Sequence, residues 1–394
     1  MTETRSPTVM LVAGEASGDA LGASLAAALR RRLPEVRFVG LGGERMAAEG
    51  VDSPFDYAEL SVLGIVEGLR AYPRVVRRAD EIAALAERER PDVAVLIDSW
   101  GFTLRVAQRL RRRLPRLPIV KYVGPQVWAS RPGRARTLSG AVDHLLAIHA
   151  MDAAYYEPFG LPVTFVGNPA LAQDLSAADP ERLRRSLGAG DEDPILLVAP
   201  GSRAGEISRL MPPFRDAVER LSQDRPTLRV VLNVALTVAE QVREAVAGWS
   251  APVRLLDTEA ERRDATAAAT VAMICSGTVS TELALAGCPV VVAYKVSPAT
   301  YQVLKRLIRT RWITLFNIAA GETIAPELIQ HECTGEALAR EVALRLDDPA
   351  LREAQVRRQF AALETMGRGG PDPSELAADA VLQVMLERAP PQAL

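Results

Sequence analysis

Residues 271–301, VAMICSGTVSTELALAGCPVVVAYKVSPATY, place several reactive features close together. An apolar run, Val271 to Cys275, leads into the turn Ser276-Gly277-Thr278. A helix follows with Glu282 in its first turn, then a Gly-Cys-Pro break and a second apolar run, Val290 to Tyr294. A glycine-containing turn that opens a helix presents free N–H groups and the positive end of the helix dipole to an anion. A carboxylate one turn further in can accept hydrogen bonds from two adjacent hydroxyls. Together these suit a ribose diphosphate and point to an enzyme of nucleotide sugars.

Four other stretches carry candidate chemistry. Gly14-Glu15-Ala16-Ser17-Gly18-Asp19 follows the apolar run 8–13. Its glycines do not match G-x-G-x-x-G, and no P-loop pattern occurs in the chain. It reads either as a tight turn with Ser17 or Asp19 capping a helix or as acids set at a strand end. Asp98 directly ends the run Val93–Ile97, where it suits a general base or a helix cap. In 121–131, Gln126, Trp128 and Arg131 line an acceptor pocket or pack a Gly-Pro loop. In Pro200-Gly201-Ser202-Arg203, Ser202 and Arg203 suit a diphosphate, with the guanidinium neutralising charge on a departing nucleotide; the alternative is a surface arginine. His144, His149 and His331 form no H-x-x-x-H set, and there is no G-x-S-x-G elbow. No D-x-D pair that would hold Mg²⁺ is present, and Cys275, Cys288 and Cys333 lack metal spacing. The reading is of metal-independent chemistry with no cofactor.

These residues need strands to hold them. Short, continuously apolar runs recur at Thr8–Ala13, Arg37–Leu41, Val93–Ile97, Ile119–Val123, His144–Ile148 and Thr164–Val166. They recur again at Ile195–Ala199, Arg229–Asn233, Val253–Leu256, Val271–Cys275 and Val290–Tyr294. Runs this short, separated by amphipathic segments, predict parallel strands covered on both faces, an α/β architecture built twice. Two doubly wound domains facing each other would bring the strand C-termini, where ligands bind, to one cleft. The spacing divides the chain into 1–170, 171–365 and a C-terminal helical segment, 366–394.

The bulk composition narrows the classes. In 394 residues there are 47 basic and 49 acidic side chains, a net charge of −2 that argues against a nucleic-acid binder. No apolar run reaches membrane-spanning length, and the N-terminus runs straight into a strand-turn pattern with acidic residues, unlike a signal peptide. These features, with three cysteines in or near apolar runs, predict a cytoplasmic protein. The basic residues are nearly all arginine. In 61–90, Leu63, Ile65, Val66, Leu69, Tyr72, Val75 and Val76 interleave with Arg70, Arg74, Arg77 and Arg78, and 105–116 adds further arginines. Such a stripe is either a solvated helix face or a contact for an anionic membrane.

Taken together, VAGEASGD (12–19), GGERMAAEG (42–50), LSVLGIVEGL (60–69), PDVAVLIDSWGF (91–102), KYVGPQVWASRPGRA (121–135), PGSRAGEI (200–207), 276–301 and FNIAAGETIAPELIQ (316–330) resemble the lipid A disaccharide synthase family over nearly the whole chain. The resemblance implies a GT-B fold of two Rossmann-like domains. It also implies inverting transfer from UDP-2,3-diacylglucosamine to 2,3-diacylglucosamine 1-phosphate, giving a β(1→6) disaccharide phosphate and UDP. Asp98 would be the general base, with Glu15, Ser17 and Asp19 shaping the site near the reacting sugars. Arg203, Ser276, Gly277, Thr278, Glu282 and Asn317 would belong to the UDP side. Acylated substrates imply a peripheral association with the cytoplasmic face of the inner membrane, promote the 61–90 stripe as the contact, place the acceptor side and Asp98 in 1–170, and allow a homodimer. The C-terminal helix is expected to pack back on the first domain.

The chain departs from the family pattern at Asn168, Ser130, Trp100 with Phe102-Thr103, Phe316, Ala172 and Ala150-Met151-Asp152. These departures leave the UDP half intact and concentrate in the acyl-sugar half. Competing expectations are a GT-B enzyme on another acceptor or on a soluble UDP-sugar, as in an epimerase, and a non-catalytic UDP-sugar-binding paralogue.

Overall fold

All eleven apolar runs form strands in the computed structural model, which describes residues 6–60, 65–172 and 175–387, with the backbone alone for 65–71. In the first half these are β1 (Thr8–Ala13), β2 (Arg37–Leu41), β3 (Val93–Ile97), β4 (Ile119–Tyr122), β5 (His144–Ala147) and β6 (Val163–Phe165). In the second half they are β7 (Ile195–Ala199), β8 (Arg229–Asn233), β9 (Val253–Leu256), β10 (Val271–Cys275), β11 (Val290–Tyr294) and β12 (Glu327–Ile329). β4 stops a residue early because Val123 takes a φ of 66°, outside the extended region. β12 was not expected: three half-buried residues at a sheet edge give no apolar run to read.

The chain divides into two compact units, one of residues 1–169 with 369–394 and one of 170–368. Each contains a six-stranded parallel sheet with helices as crossovers, so the α/β, Rossmann-like reading of both halves holds. The continuous apolar runs follow from this layering. Every residue of β1, β3, β7 and β10 is buried, because helices cover both faces. Separate hydrophobic clusters fill the two sides of each sheet.

Strand order locates the binding edge of each unit. The first sheet runs β2-β1-β3-β4-β5-β6 and the second β12-β11-β10-β7-β8-β9. The order reverses between β1 and β3, and between β10 and β7. Helices leave the sheet on opposite sides at such a reversal, and the crevice beyond the strand C-termini is where ligands bind. Ala13 pairs with Ile97 and Ala199 with Ile274, so Gly14-Glu15 adjoins Asp98 and Gly201-Arg203 adjoins the 276–278 turn.

The C-terminal helix, Pro373–Glu387, belongs to the first unit. Ala377, Val381 and Val384 enter the cluster beneath the helix Ala16–Arg32, and Glu375 pairs with Arg31 and Arg32 of that helix. Among the described residues, no helix is long and apolar enough to cross a membrane.

Candidate active site

At the first reversal the chain leaves β3 through two consecutive left-handed residues, Asp98 (φ 47°) and Ser99 (φ 40°). Non-glycine residues rarely adopt this conformation, and each costs of order 1 kcal/mol or more. The surroundings hold it in place. Lys121 Nζ donates to the Asp98 carbonyl and, at 2.9 Å, to Thr103 Oγ1. The Thr103 hydroxyl lies 2.8 Å from the Asp98 carbonyl and 3.0 Å from that of Ser99. The Ser99 N–H donates to Glu15 Oε1 at 3.1 Å. The bend turns the Asp98 carboxylate toward the helix that follows β1, where Ser17 Oγ donates to its Oδ2 at 2.9 Å.

The electrostatics of this cluster are shared. Burial and the neighbouring Asp98 raise the Glu15 pKa above the usual glutamate range. Lys121 is 2% exposed within β4, and desolvation pulls its ammonium down to about 7, against the opposing pull of Asp98 and Glu15. Lys121 was not singled out in the sequence as a site residue, and Thr103 only as a departure from the family pattern. A signal was available: Lys121 is one of three lysines in the chain and sits inside an apolar run.

Asp19 has a different role from the one its position suggests. It is buried and accepts from the backbone N–H groups of Gly43 (2.7 Å), Arg45 (3.2 Å) and Met46 (3.0 Å). It ties the turn after β2 to the helix after β1, and its oxygens are engaged there. Beside Glu15 and Ser99 opens a cavity of about 600 Å³, walled by Tyr57, Leu60, Tyr72, Val75 and Phe102 with Arg105 at its edge. The Arg105 guanidinium stacks 4.9 Å above the Tyr72 ring. This mixed apolar and cationic lining suits an amphiphilic ligand.

The 124–131 loop divides its three candidates. Gln126 and Arg131 are exposed, Arg131 at a φ of 51°. Trp128 is buried, edge-on to His149 with ring centroids 5.6 Å apart. It is a packing residue and does not line an open pocket. Burial raises Asp152 to about 7 and lowers His149 to about 4. The Trp128 indole lies close to the Asp152 carboxylate without completing a hydrogen bond.

At the second reversal, two turns that read alike in sequence differ. Gly201 has a φ of 113°, and a Cβ there would lie 2.4 Å from Glu206 Oε2. That oxygen accepts from the N–H groups of Ser202 (3.1 Å) and Arg203 (3.3 Å), while Glu206 Oε1 accepts from Arg203 Nη1 at 2.9 Å. The anion position at the start of the helix Ala204–Asp224 is filled by the protein's own carboxylate. At 276–279 it is open: the N–H groups of Gly277, Thr278 and Val279 donate to no protein acceptor among the described residues, and nothing lies within 4 Å of where a Gly277 Cβ would be. Glu282, one turn along, is half-buried, its carboxylate without a hydrogen-bond partner among the described residues, and desolvation raises its pKa.

Asn317 does not present itself to a ligand. It is fully buried, donating to the Ala325 carbonyl and Glu327 Oε1, both at 2.9 Å, and accepting from the N–H groups of Ile324 and Ala325. Glu327 also accepts from the N–H groups of Ile313 and Thr314. Asn317 thereby fixes the segment whose Ile313 carbonyl accepts from Ser276 Oγ at 3.4 Å. No group of side chains fit to hold a metal ion occurs among the described residues.

The two parallel sheets and their reversal points define a GT-B-type fold of two Rossmann-like units. Solved structures agree at the level of fold. A UDP-GlcNAc 2-epimerase from Neisseria meningitidis bound to UDP-GlcNAc superposes with a TM-score of 0.58 at 11% identity, covering 96% of this chain and 100% of that one. MurG from Acinetobacter baumannii superposes at 0.57 and 14%, covering 96% and 99%. Sequence relatives are more specific. The family model for lipid-A-disaccharide synthetase matches residues 9–378. The lipid-A-disaccharide synthase of Rhodospirillum centenum is 42% identical over 381 residues, covering 96% of this chain and 95% of the relative. That of Pseudomonas aeruginosa is 40% identical over 380 residues, covering 96% and 98%. The chain belongs to the lipid-A-disaccharide synthase family, hexosyltransferases of lipid A biosynthesis.

Proposed function

We propose that the chain transfers a diacylglucosaminyl group from UDP to the 6-hydroxyl of diacylglucosamine 1-phosphate, with Asp98 as general base. The observation that carries this reading is the Asp98 carboxylate, turned by strained backbone onto Ser17 beside an amphiphilic cavity. As the 6-hydroxyl oxygen attacks the anomeric carbon, Asp98 takes its proton and the bond to the UDP oxygen breaks. Ser17 and Lys121 are positioning residues: the first orients the carboxylate and the second holds its backbone. The acceptor's sugar would lie by Glu15, with an acyl chain along Tyr57, Leu60 and Tyr72.

On the donor side, the open 277–279 N–H groups and the Glu282 carboxylate are assigned to the diphosphate and the ribose hydroxyls. Arg203, 80% exposed at its side chain, is free to swing toward the leaving phosphates once Glu206 releases it. Charge-assisted hydrogen bonds from a preorganised turn can stabilise a departing diphosphate.

The direct test is incubation with both diacylglucosamine substrates and mass detection of the disaccharide phosphate together with released UDP. Failure to form this product from active, folded protein would refute the assignment. Glu282→Ala should weaken UDP binding about tenfold, the value of one or two charge-assisted hydrogen bonds, measured by calorimetry. Unchanged UDP affinity would remove Glu282 from the ribose.

Acylated substrates imply work at a membrane face. The basic stripe at 61–90 supports this only in part. Leu63 and the side chains of Ile65, Val66, Leu69 and Arg70 lie outside the described residues. Of the rest, Arg78 is paired with Glu59 and Glu81 and stacked on Phe55, and Arg77 lies 3.7 Å from Glu81. In 105–116, Arg109 and Arg113 pair with Asp80 and Arg111 with Asp143. Tyr72 and Arg74 remain exposed.

A further inference from the structure

The second unit carries a surface of the opposite kind. The helix Pro298–Leu307 contains no buried residue. Its apolar side chains, Tyr301, Val303, Leu304 and Leu307, fall at i, i+2, i+3 and i+6 and share one broad arc, flanked by Lys305 on one side and Arg306 on the other. Val303 is 55% exposed, Leu307 39%, and Ile308, just past the helix end, 40%. Helices of globular proteins draw most of their stability from packing an apolar face, yet this one half-buries only Tyr301 and Leu304 and leaves Val303 and Leu307 exposed. Scattered exposed apolar residues are ordinary, but three large ones within six positions form a patch.

The charge along this stretch of sequence is one-sided. No aspartate or glutamate occurs between Glu282 and Glu322, while Lys305, Arg306, Arg309 and Arg311 cluster at the helix end. None of these four is in an ion pair among the described residues, whereas arginines elsewhere commonly are. Cations in a last helical turn do favour the helix dipole. That accounts for Lys305 and Arg306, but not for Arg309 and Arg311 beyond the end or for the exposed Val303 and Ile308. Arg311 lies 5.7 Å from the ring of Trp312, an aromatic residue type common at membrane–water boundaries.

We infer that the segment 298–311 is a membrane-docking element of the second unit: Val303, Leu307 and Ile308 enter the interfacial layer of an anionic bilayer while Lys305, Arg306, Arg309 and Arg311 meet its phosphates. The inference builds on the lipid-linked substrates proposed above. It commits to a lipid surface because apolar side chains and unpaired cations are interspersed along one exposed helix and the residues just past its end, as on an interfacial helix. Each cation near an anionic leaflet contributes about fivefold to partitioning, so four outweigh what an incidental patch would give.

The test is co-sedimentation of the full chain with phosphatidylethanolamine vesicles containing phosphatidylglycerol, and with phosphatidylcholine vesicles. One variant carries Val303→Ser, Leu307→Ser and Ile308→Ser. A second carries Lys305→Gln, Arg306→Gln, Arg309→Gln and Arg311→Gln, and a third Arg74→Ser with Arg77→Ser. The first two are expected to lose about tenfold or more in binding to anionic vesicles, and the third to retain most of it. Wild-type binding should fall with salt and on phosphatidylcholine. Circular dichroism and UDP affinity should match wild type, which separates lost docking from lost folding. Wild-type vesicle binding by both helix variants would overturn the inference. So would a change in oligomeric state, by sedimentation velocity, with vesicle binding intact, since the patch would then join two copies. Vesicle binding is read without turnover, so failure of the transferase assignment leaves this result standing.

Discussion

Asp98→Asn should lower turnover by about 10² or more while leaving UDP affinity unchanged. A positioned general base contributes on that scale, and asparagine keeps the shape while losing the ability to take a proton. The Ser17 hydroxyl can still donate to the amide oxygen and the backbone bonds of the bend are untouched, so the strained conformation should persist. The comparison is of kcat with saturating substrates and of UDP affinity by calorimetry, on the same preparation. Near-normal turnover would remove Asp98 as base and direct attention to Glu15, the other carboxylate in contact with the bend. Loss of UDP affinity would instead show that the substitution had disturbed more than proton transfer.

Lys121→Met should lower turnover by about tenfold or more and at the same time raise the melting temperature at pH 7. The two effects have one origin. An amine enclosed within β4 is costly to charge, and its folded pKa of about 7 lies far below its ordinary value of 10.5. Between about pH 7 and 10.5 the unfolded chain binds more protons than the folded one, so wild-type stability should rise with pH across that window. The full penalty, a few kcal/mol, is present at pH 7 and below. Methionine has similar length and no charge, so it removes both the penalty and the slope. A gain of about 5 °C or more is expected for units of this size. The amine also holds the Asp98 carbonyl in its left-handed bend, and without it the carboxylate loses its fixed aim. Melting curves at pH 7 and pH 9, read beside kcat, decide the matter. A drop in both would make Lys121 a purely structural residue. A gain in stability with loss of turnover is the expected signature of strain held for function.

The sequence by itself determined the architecture. Apolar runs bounded by glycine, proline or acid set eleven strands, because a strand covered on both faces must be apolar throughout, and that requirement is written locally. It also placed Glu15, Asp98, Arg203 and the 276–282 turn at strand ends. It did not show β12, too short and too exposed to leave an apolar run.

Only the tertiary structure decided which candidates are available for chemistry. Ser17 and Asp98 meet across 81 residues of sequence, and Lys121 reaches the same bend from a third strand. Asp19 and Asn317 look like site residues but have their polar atoms taken by backbone groups. The glycine turns at 201 and 277 read alike, yet Glu206 fills one and none of the described residues fills the other. Likewise Arg78, Arg109, Arg111 and Arg113 and the cations at 305–311 are equally basic in sequence, and only folding pairs the first set with acids. The reason is common to all these cases. Burial and periodicity are properties of neighbouring residues, whereas a hydrogen bond or ion pair is settled by whichever group the fold brings within about 3 Å.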